Sequence, residues 1–300
     1  MVIQLQRPPQ GGLSRRAVLA ALAGAAVAGR GRSAVAAGRL RIAAVDWAMA
    51  ETAMALGHAP VAMAELAAFR RIAADQPPDG TVDLGLRGSP NLEALALVAP
   101  DLILSSSYYS FAEPQLERIA PVFTRALYVP GEPPFPKVMV LLADLAARLN
   151  DAVAGVRTTA AAQDELAALA VKAAPHAGPG CVLMEIGDSR HIRVFGDDSL
   201  FGGALQAIGL RNAWSEGTRF AFAAPVPMER LAGFPDARFF ILGGVPVQAQ
   251  RALRSGALWN SLAPVRAGRV HRLADINSFG GAPSALRFAR EIVATLEAQA

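Results

Sequence analysis

The stretch DLGLRGSPNLEALALVAPDLILSSSYYSFAEPQLERIAPVF, Asp83 to Phe123, reads as four pieces in succession. Asp83–Leu86 is a short extended run that ends on Arg87. Gly88-Ser89-Pro90-Asn91 is a turn, and the side-chain oxygen of Asn91 can accept an orphan N–H at the start of a helix. Leu92–Val98 carries apolar residues at helical spacing and is closed by Pro100. Asp101–Leu104 is a brief apolar run of the buried-strand type, leading into Ser105-Ser106-Ser107-Tyr108-Tyr109. One guanidinium (Arg87) and two phenols (Tyr108, Tyr109) therefore stand at the ends of two successive strands of an α/β unit. Ligands of open α/β sheets lie off the carboxyl ends of strands, so this is a candidate binding site on placement alone.

Outward from that stretch the alternation continues. Leu40–Val45 is a strand candidate ending at Asp46-Trp47, followed by a helical pattern through Leu56 with Gly57 at its end. Ala59–Ala62 reads as the next short strand, and Ala64–Ala74 is ambiguous. Strands alternating with helices argue for a parallel sheet. After Pro133-Pro134-Phe135-Pro136 no proline occurs between Lys137 and Ala174, and only one glycine, Gly155. A helix through Leu149 and, after Asn150-Asp151, a long helix to about Ala174 are expected, forming a helical spacer between two lobes. The alternation then resumes: strands at Cys181–Ile186, Ile192–Phe195 and Phe239–Leu242, helices at Ser199–Ile208 and Leu253–Leu262, an extended run at Arg269–Leu273 and a closing helix at Pro283–Leu296.

The first residues set the charge argument. Ser14-Arg15-Arg16-Ala17-Val18-Leu19 is a twin-arginine pattern followed by the apolar run Ala17–Ala28 and small residues at Ala34-Val35-Ala36, so residues 1–36 read as an export signal and the mature chain as periplasmic. The whole sequence has 29 basic and 25 acidic residues. The leader holds Arg7, Arg15, Arg16, Arg30 and Arg32, and its removal leaves 24 basic residues, close to neutrality. The basic balance of the full chain thus says nothing about nucleic acid, which is excluded as a partner. The single cysteine, Cys181, allows no intramolecular disulfide and reads as a small buried residue.

Several further short patterns join Leu84-Gly85-Leu86-Arg87 and Pro90-Asn91-Leu92-Glu93. They are Arg118-Ile119-Ala120-Pro121, Arg190-His191 with Val194-Phe195-Gly196, Ser199-Leu200-Phe201, Asn212-Ala213-Trp214 and Val265-Arg266-Ala267-Gly268-Arg269. In order and spacing the chain resembles the iron–siderophore-binding proteins of ABC importers, most closely their ferric-hydroxamate-binding branch. The resemblance implies a type III periplasmic binding protein: two α/β lobes with mostly parallel sheets joined by one long helix. The expected divisions are an N-terminal lobe at 37–136, a helical segment at 137–177 and a C-terminal lobe at 178–300. It also implies a monomer that needs no cofactor, holds an Fe(III)–siderophore complex as ligand and delivers it to a membrane permease.

Ferric ion is hard, and siderophores surround it with anionic oxygen donors, so the protein need not touch the metal. A guanidinium or phenol can hydrogen-bond the chelating oxygens while aromatic walls cover the organic shell. By similarity Arg87 takes the arginine role, Tyr109 the tyrosine role, and Trp47 matches an aromatic of the cleft face. A surface pairing of Arg87 with Asp83 or Glu93 stays open, as does core packing of either Tyr108 or Tyr109. In this chain Ala221, flanked by Phe220 and Phe222, replaces a tryptophan of the branch; Asn277 and Phe279 replace an aromatic pair; and Arg71 replaces another tryptophan. With Arg219 nearby, these departures point to a less aromatic, more cationic pocket and a ligand with extra negative charge. Glu93 and Glu229 match the glutamates that dock against the permease, with a helix-dipole partner and an ordinary solvated acid as the respective plain alternatives.

Competing readings are weaker. Gly187-Asp188-Ser189 resembles the opening motif of an exported hydrolase family, with His191 nearby. All four residues lie too close in sequence for a nucleophile–base–orienter array, so an enzyme is not expected. The four histidines (His58, His176, His191, His271) are scattered, which argues against direct metal binding. Within the same fold, haem or cobalamin is the nearest alternative ligand.

Overall fold

The computed structural model describes residues 40–218 and 222–298. The export-signal reading of residues 1–36 and the expectations for Arg219 and Phe220 lie outside these. Strands β1 (Ile42–Ala44), β2 (Ala62–Met63), β3 (Val82–Asp83), β4 (Leu102–Ser106) and β5 (Val122–Arg125) form a sheet ordered β3-β2-β1-β4-β5, parallel throughout. Parallel neighbours need crossovers, supplied here by α1 (Trp47–Ala55), α2 (Leu66–Ile72) and α3 (Leu92–Leu97). Asp46 caps α1 by accepting the Met49 N–H at 3.0 Å, and Asn91 caps α3 through Ala94 N–H at 2.9 Å. The ambiguous segment 64–74 is helix α2. The strand expected at Ala59–Ala62 lies at Ala62–Met63 instead, because Pro60 has no N–H for the ladder, which starts with Val61 N–H on Ile42 O.

A one-turn helix α4 (Glu113–Leu116) lies in the β4–β5 crossover, and between the two sheets in sequence come α5 (Pro134–Arg148) and the 22-residue α6 (Ala152–Ala173), about 33 Å long. Asp151 caps α6 through Ala154 N–H and also meets His58 Nε2 at 2.9 Å, tying the end of the first lobe's α1 to the start of the long helix. Gly155 is obligatory there: a Cβ would stand 2.6 Å from the Ala146 Cβ, so α5 and α6 approach as closely as glycine allows.

The second sheet comprises β6 (Cys181–Ile186), β7 (His191–Phe195), β8 (Ala223–Pro227), β9 (Arg238–Leu242) and β10 (Val270–Leu273), ordered β10-β9-β6-β7-β8. It is mixed: β10, β9 and β6 run parallel, while β7 and β8 pair antiparallel. Strand β8 is missing from the sequence reading because Pro225 and Pro227 argue against a strand; it sits at the sheet edge, where proline is tolerated. The single helix expected over Leu253–Leu262 is instead α8 (Val247–Ser255), α9 (Ala257–Ser261) and α10 (Ala263–Arg266), broken at Gly256 and Leu262. Helices α7 (Leu200–Ala207), capped by Ser199, and α11 (Ala282–Glu297) complete the fold.

One buried cluster runs through both halves. It takes Ile42 and Leu104 from the first sheet, Leu141 and Leu145 from α5, Leu183 and Phe240 from the second sheet, and Phe288 and Ile292 from α11. Each such side chain contributes roughly 1.5–3 kcal/mol on leaving water. The outer faces keep separate cores, around Leu84, Ile103 and Leu116 in the first half and Met184, Trp214 and Phe239 in the second. Cys181 is buried at the start of β6, and burial raises its thiol to about 11. Among the described residues no helix is long and apolar enough to cross a membrane.

Candidate functional site

Arg87 emerges just past β3. Its Nε donates to Glu65 Oε2 at 2.8 Å, and its guanidinium carbon lies 4.0 Å from the centre of the Trp47 ring. Carboxylate and aromatic face fix the plane of the fork from two directions. Among the described residues no protein acceptor binds the two Nη groups. The open question of Arg87's partner is thereby answered: it is neither Asp83, whose carboxylate accepts Gly85 N–H, nor Glu93, but Glu65. Glu65 itself has φ +52 at the entry to α2, a conformation that carries its side chain to Arg87.

Beyond β4 the chain turns through a 3₁₀ segment, Ser107–Ala112, which presents both phenols. Tyr108 is 63% exposed and Tyr109 6%, with their rings edge to face at 5.2 Å. Tyr109 packs into the outer core of the first lobe yet still reaches the cavity; burial, with Asp46 nearby, pushes its hydroxyl well above the usual phenol range. Asp46, Arg87, Tyr108, Tyr109, Tyr128 and Phe279 together line a space of ≈ 100 Å³. Asp46 is buried and accepts the Ser106 hydroxyl at 2.8 Å; burial raises its carboxyl pKa. The described lining thus holds one cation, Arg87, and one carboxylate, Asp46, while Glu65 pairs with Arg87 from outside the lining. Of the two arginines behind the expected surplus of positive charge, Arg71 is exposed, bonds Ala67 O on its own helix and does not line this space, and Arg219 lies outside the described residues.

Among the described residues, Phe279 is the second half's contribution to this lining. Its ring packs on Tyr128 (5.1 Å) and Phe222 (6.0 Å), and Arg193 lies 4.2 Å over Phe222 while pairing with Glu185. The loop that carries Phe279 is held by two side chains of the first half. Tyr128 donates its hydroxyl to Gly280 O at 2.6 Å, and Glu51 receives hydrogen bonds from Asn277, Gly281 and Ser284. Burial outweighs those bonds and raises the Glu51 carboxyl to about 7. Asn277 accordingly turns toward Glu51 and not toward Arg87; it borders a second, polar space of ≈ 270 Å³ with Glu185, Arg193 and Asp275. Trp47 is 6% exposed and donates Nε1–H to Ala64 O, serving as the platform beneath Arg87. Glu51, Glu65 and Tyr128 escaped the sequence reading. In sequence Glu51 is an isolated acid in an Ala/Met helix, and its partners lie more than 220 residues away.

Glu93 is exposed in the first turn of α3, and Glu229 is exposed in the 3₁₀ turn Met228–Gly233 of the second half. Asp188 and His191 pair with each other, and Asp188 also accepts the backbone N–H groups of Arg190 and His191, which lower it to about 2. These residues close the β6–β7 turn. Among the described residues no group of three or more His, Cys, Asp or Glu is gathered as a metal site.

Two α/β units bridged by a long helix, with a polar and aromatic hollow at strand ends between them, define an extracytoplasmic binding protein of the type III architecture. A periplasmic binding protein family model matches residues 42–276, and the chain belongs to that family. It is 31% identical over 252 residues to the iron(3+)-hydroxamate-binding protein FhuD of Escherichia coli K12, covering 83% of this chain and 84% of the relative. Its fold is similar to that of FhuD from Vibrio cholerae bound to Fe³⁺–Desferal (TM-score 0.81, 22% identity, 88% of this chain and 100% of that one). It also matches Staphylococcus aureus SirA complexed with staphyloferrin B (TM-score 0.64, 17% identity, 87% and 94% covered). These relatives are binding proteins rather than enzymes.

Proposed function

We propose that this protein captures a ferric siderophore of the hydroxamate type in the periplasm and hands it to the permease of an ABC importer. The observation that carries the reading is Arg87. Its Nε is engaged by Glu65 and its face by Trp47, while among the described residues no acceptor takes either Nη group beside Tyr108 and Tyr109. Such a fork suits the anionic oxygens around a caged ferric ion, and charge-assisted bonds of this kind are about twice as strong as neutral ones. Phe279 and the exposed ring of Tyr108 would cover the organic shell. With Asp46 and Glu65 already opposing Arg87, a ferric complex near neutrality fits better than one bearing extra carboxylates. The relative that binds iron(3+)-hydroxamate, 31% identical over most of the chain, supports the same reading.

Residues 1–36 act as a twin-arginine export signal on this reading, and Glu93 and Glu229 serve as the docking points for the permease, one on each half. The test is a fluorescence titration of the mature protein with ferric desferrioxamine, a neutral ferric trihydroxamate and ferric citrate. Saturable binding of a hydroxamate complex, weakened by Arg87→Ala, is expected. Preference for the carboxylate complex, or affinity indifferent to Arg87, would refute the proposal.

A further inference from the structure

We propose that Glu51 is the positioning residue of the cleft: from α1 of the first half it grips the 277–284 segment of the second half and so sets the Phe279 ring opposite Arg87. The inference rests on the ferric-siderophore reading for the identity of the cleft, but its geometry is independent of the ligand. Both carboxylate oxygens are used. Oε1 receives Asn277 Nδ2 (3.1 Å) and Ser284 Oγ (2.9 Å); Oε2 receives Gly281 N (2.9 Å) and Ser284 Oγ (2.8 Å). Every one of these donors belongs to the other half of the chain, so a carboxylate that is costly to bury does nothing for its own helix.

The contact surface is as close as backbone permits. A Cβ on Gly280 would stand 2.8 Å from Glu51 Oε2, and one on Gly281 2.8 Å from Ala48 O. Asn277 is drawn on at both ends, since its Oδ1 accepts Phe279 N–H at 3.1 Å while its Nδ2 holds Glu51. The grip is therefore passed to Phe279 through two hydrogen bonds. Tyr128 braces the same turn at Gly280 O from the cleft side.

The charged and titratable groups facing Glu51 are few. Asp46 lies on its own helix side, Tyr128 approaches from the cleft, and Asp75 and Arg287 line the narrow crevice behind it. Arg287 is occupied by Glu291 and Ile72 O. The ionised carboxylate can accept from all three donors at once, whereas the acid must turn one oxygen into a donor. Burial nevertheless raises Glu51 to about 7, so the gripped loop holds the proton more tightly than an opened one with an ordinary carboxyl would, and deprotonation loosens the loop.

Two readouts on the full mature chain, across pH 5 to 9, test this. One is hydrogen exchange of peptides spanning 277–284 in ligand-free protein, corrected for intrinsic rates; the other is the Kd for ferric desferrioxamine. As pH rises the wild type should lose protection and affinity together, with a midpoint near 7. Glu51→Gln, permanently neutral, should show no midpoint in either readout, and Glu51→Ala should bind roughly tenfold more weakly at pH 5, the worth of about one or two lost hydrogen bonds. Ser284→Ala, which removes a donor without touching the carboxylate, should move the midpoint upward. Wild-type exchange that is flat with pH, or Glu51→Ala that merely melts earlier with unchanged Kd, overturns the proposal. If wild type ignores every ferric probe while Glu51→Gln still abolishes the pH-linked exchange, the grip stands and the ferric-siderophore reading falls.

Discussion

On the side of the first sheet the cleft is built from groups that make hydrogen bonds: Asp46 after β1, Arg87 after β3, Tyr108 and Tyr109 after β4. On the side of the second half the same space meets an aromatic wall, Phe279, with Phe222 behind it. The contrast follows from topology. A fully parallel sheet brings all its strand ends to one edge, so polar residues distant in sequence converge there. The second sheet is mixed, and its β7 runs back the other way, so fewer of its ends face the cleft. Its contribution comes from the loop after β10, and that loop is placed by Glu51 and Tyr128 of the first half. The chemistry and the placing of both walls thus reside largely in one lobe.

The largest effect should come from outside the cleft. Reversing charge at both Glu93 and Glu229 should abolish siderophore-dependent uptake in cells while the Kd of the purified protein stays unchanged; altered affinity would show that the two surfaces are not separable from the walls. Glu51 offers the next test, through pH and stability. Its folded value, about 7, lies above the ordinary 4.5, so the native state holds the proton more tightly than the unfolded chain. That contribution is complete below about pH 4.5 and is lost as pH rises to about 7, amounting to ~3 kcal/mol. Denaturant titrations should show this decline in wild type and not in Glu51→Gln. Global stability and ligand affinity should then fall together across the same window.

Within the polar wall, Arg87→Ala should weaken a ferric hydroxamate complex by about 10²-fold, the scale of a pair of charge-assisted bonds. Calorimetry should show the loss mainly in enthalpy. Phe279→Ala should cost about tenfold, read from the same titration, because it removes apolar cover and leaves the hydrogen-bonding side intact. A larger loss from Phe279→Ala than from Arg87→Ala would invert the contrast between the walls.

Much of this was legible in sequence wherever cause and effect lie close together. Asn91 caps a helix as its position predicts, and Arg87, Tyr108 and Tyr109, singled out because they stand at strand ends, line one hollow. Short-range rules failed where tertiary context prevails. Two prolines hid β8, whose edge position makes them harmless, and Gly256 divides what apolar spacing reads as one helix. Glu65 and Glu51 were invisible for a different reason. A lone acid gives no local sign of a partner tens or hundreds of residues away, and only folding brings Arg87 to one and Ser284 to the other.

The buried cluster that passes from Ile42 through Leu145 to Phe240 and Phe288 has a consequence for how this chain can be cut. Neither half owns a complete interior: severed at Asn150, each fragment would show water the apolar face that the other now covers. Fragments made separately should aggregate or stay molten, whereas the same two pieces made together should find each other and reassemble without a covalent link.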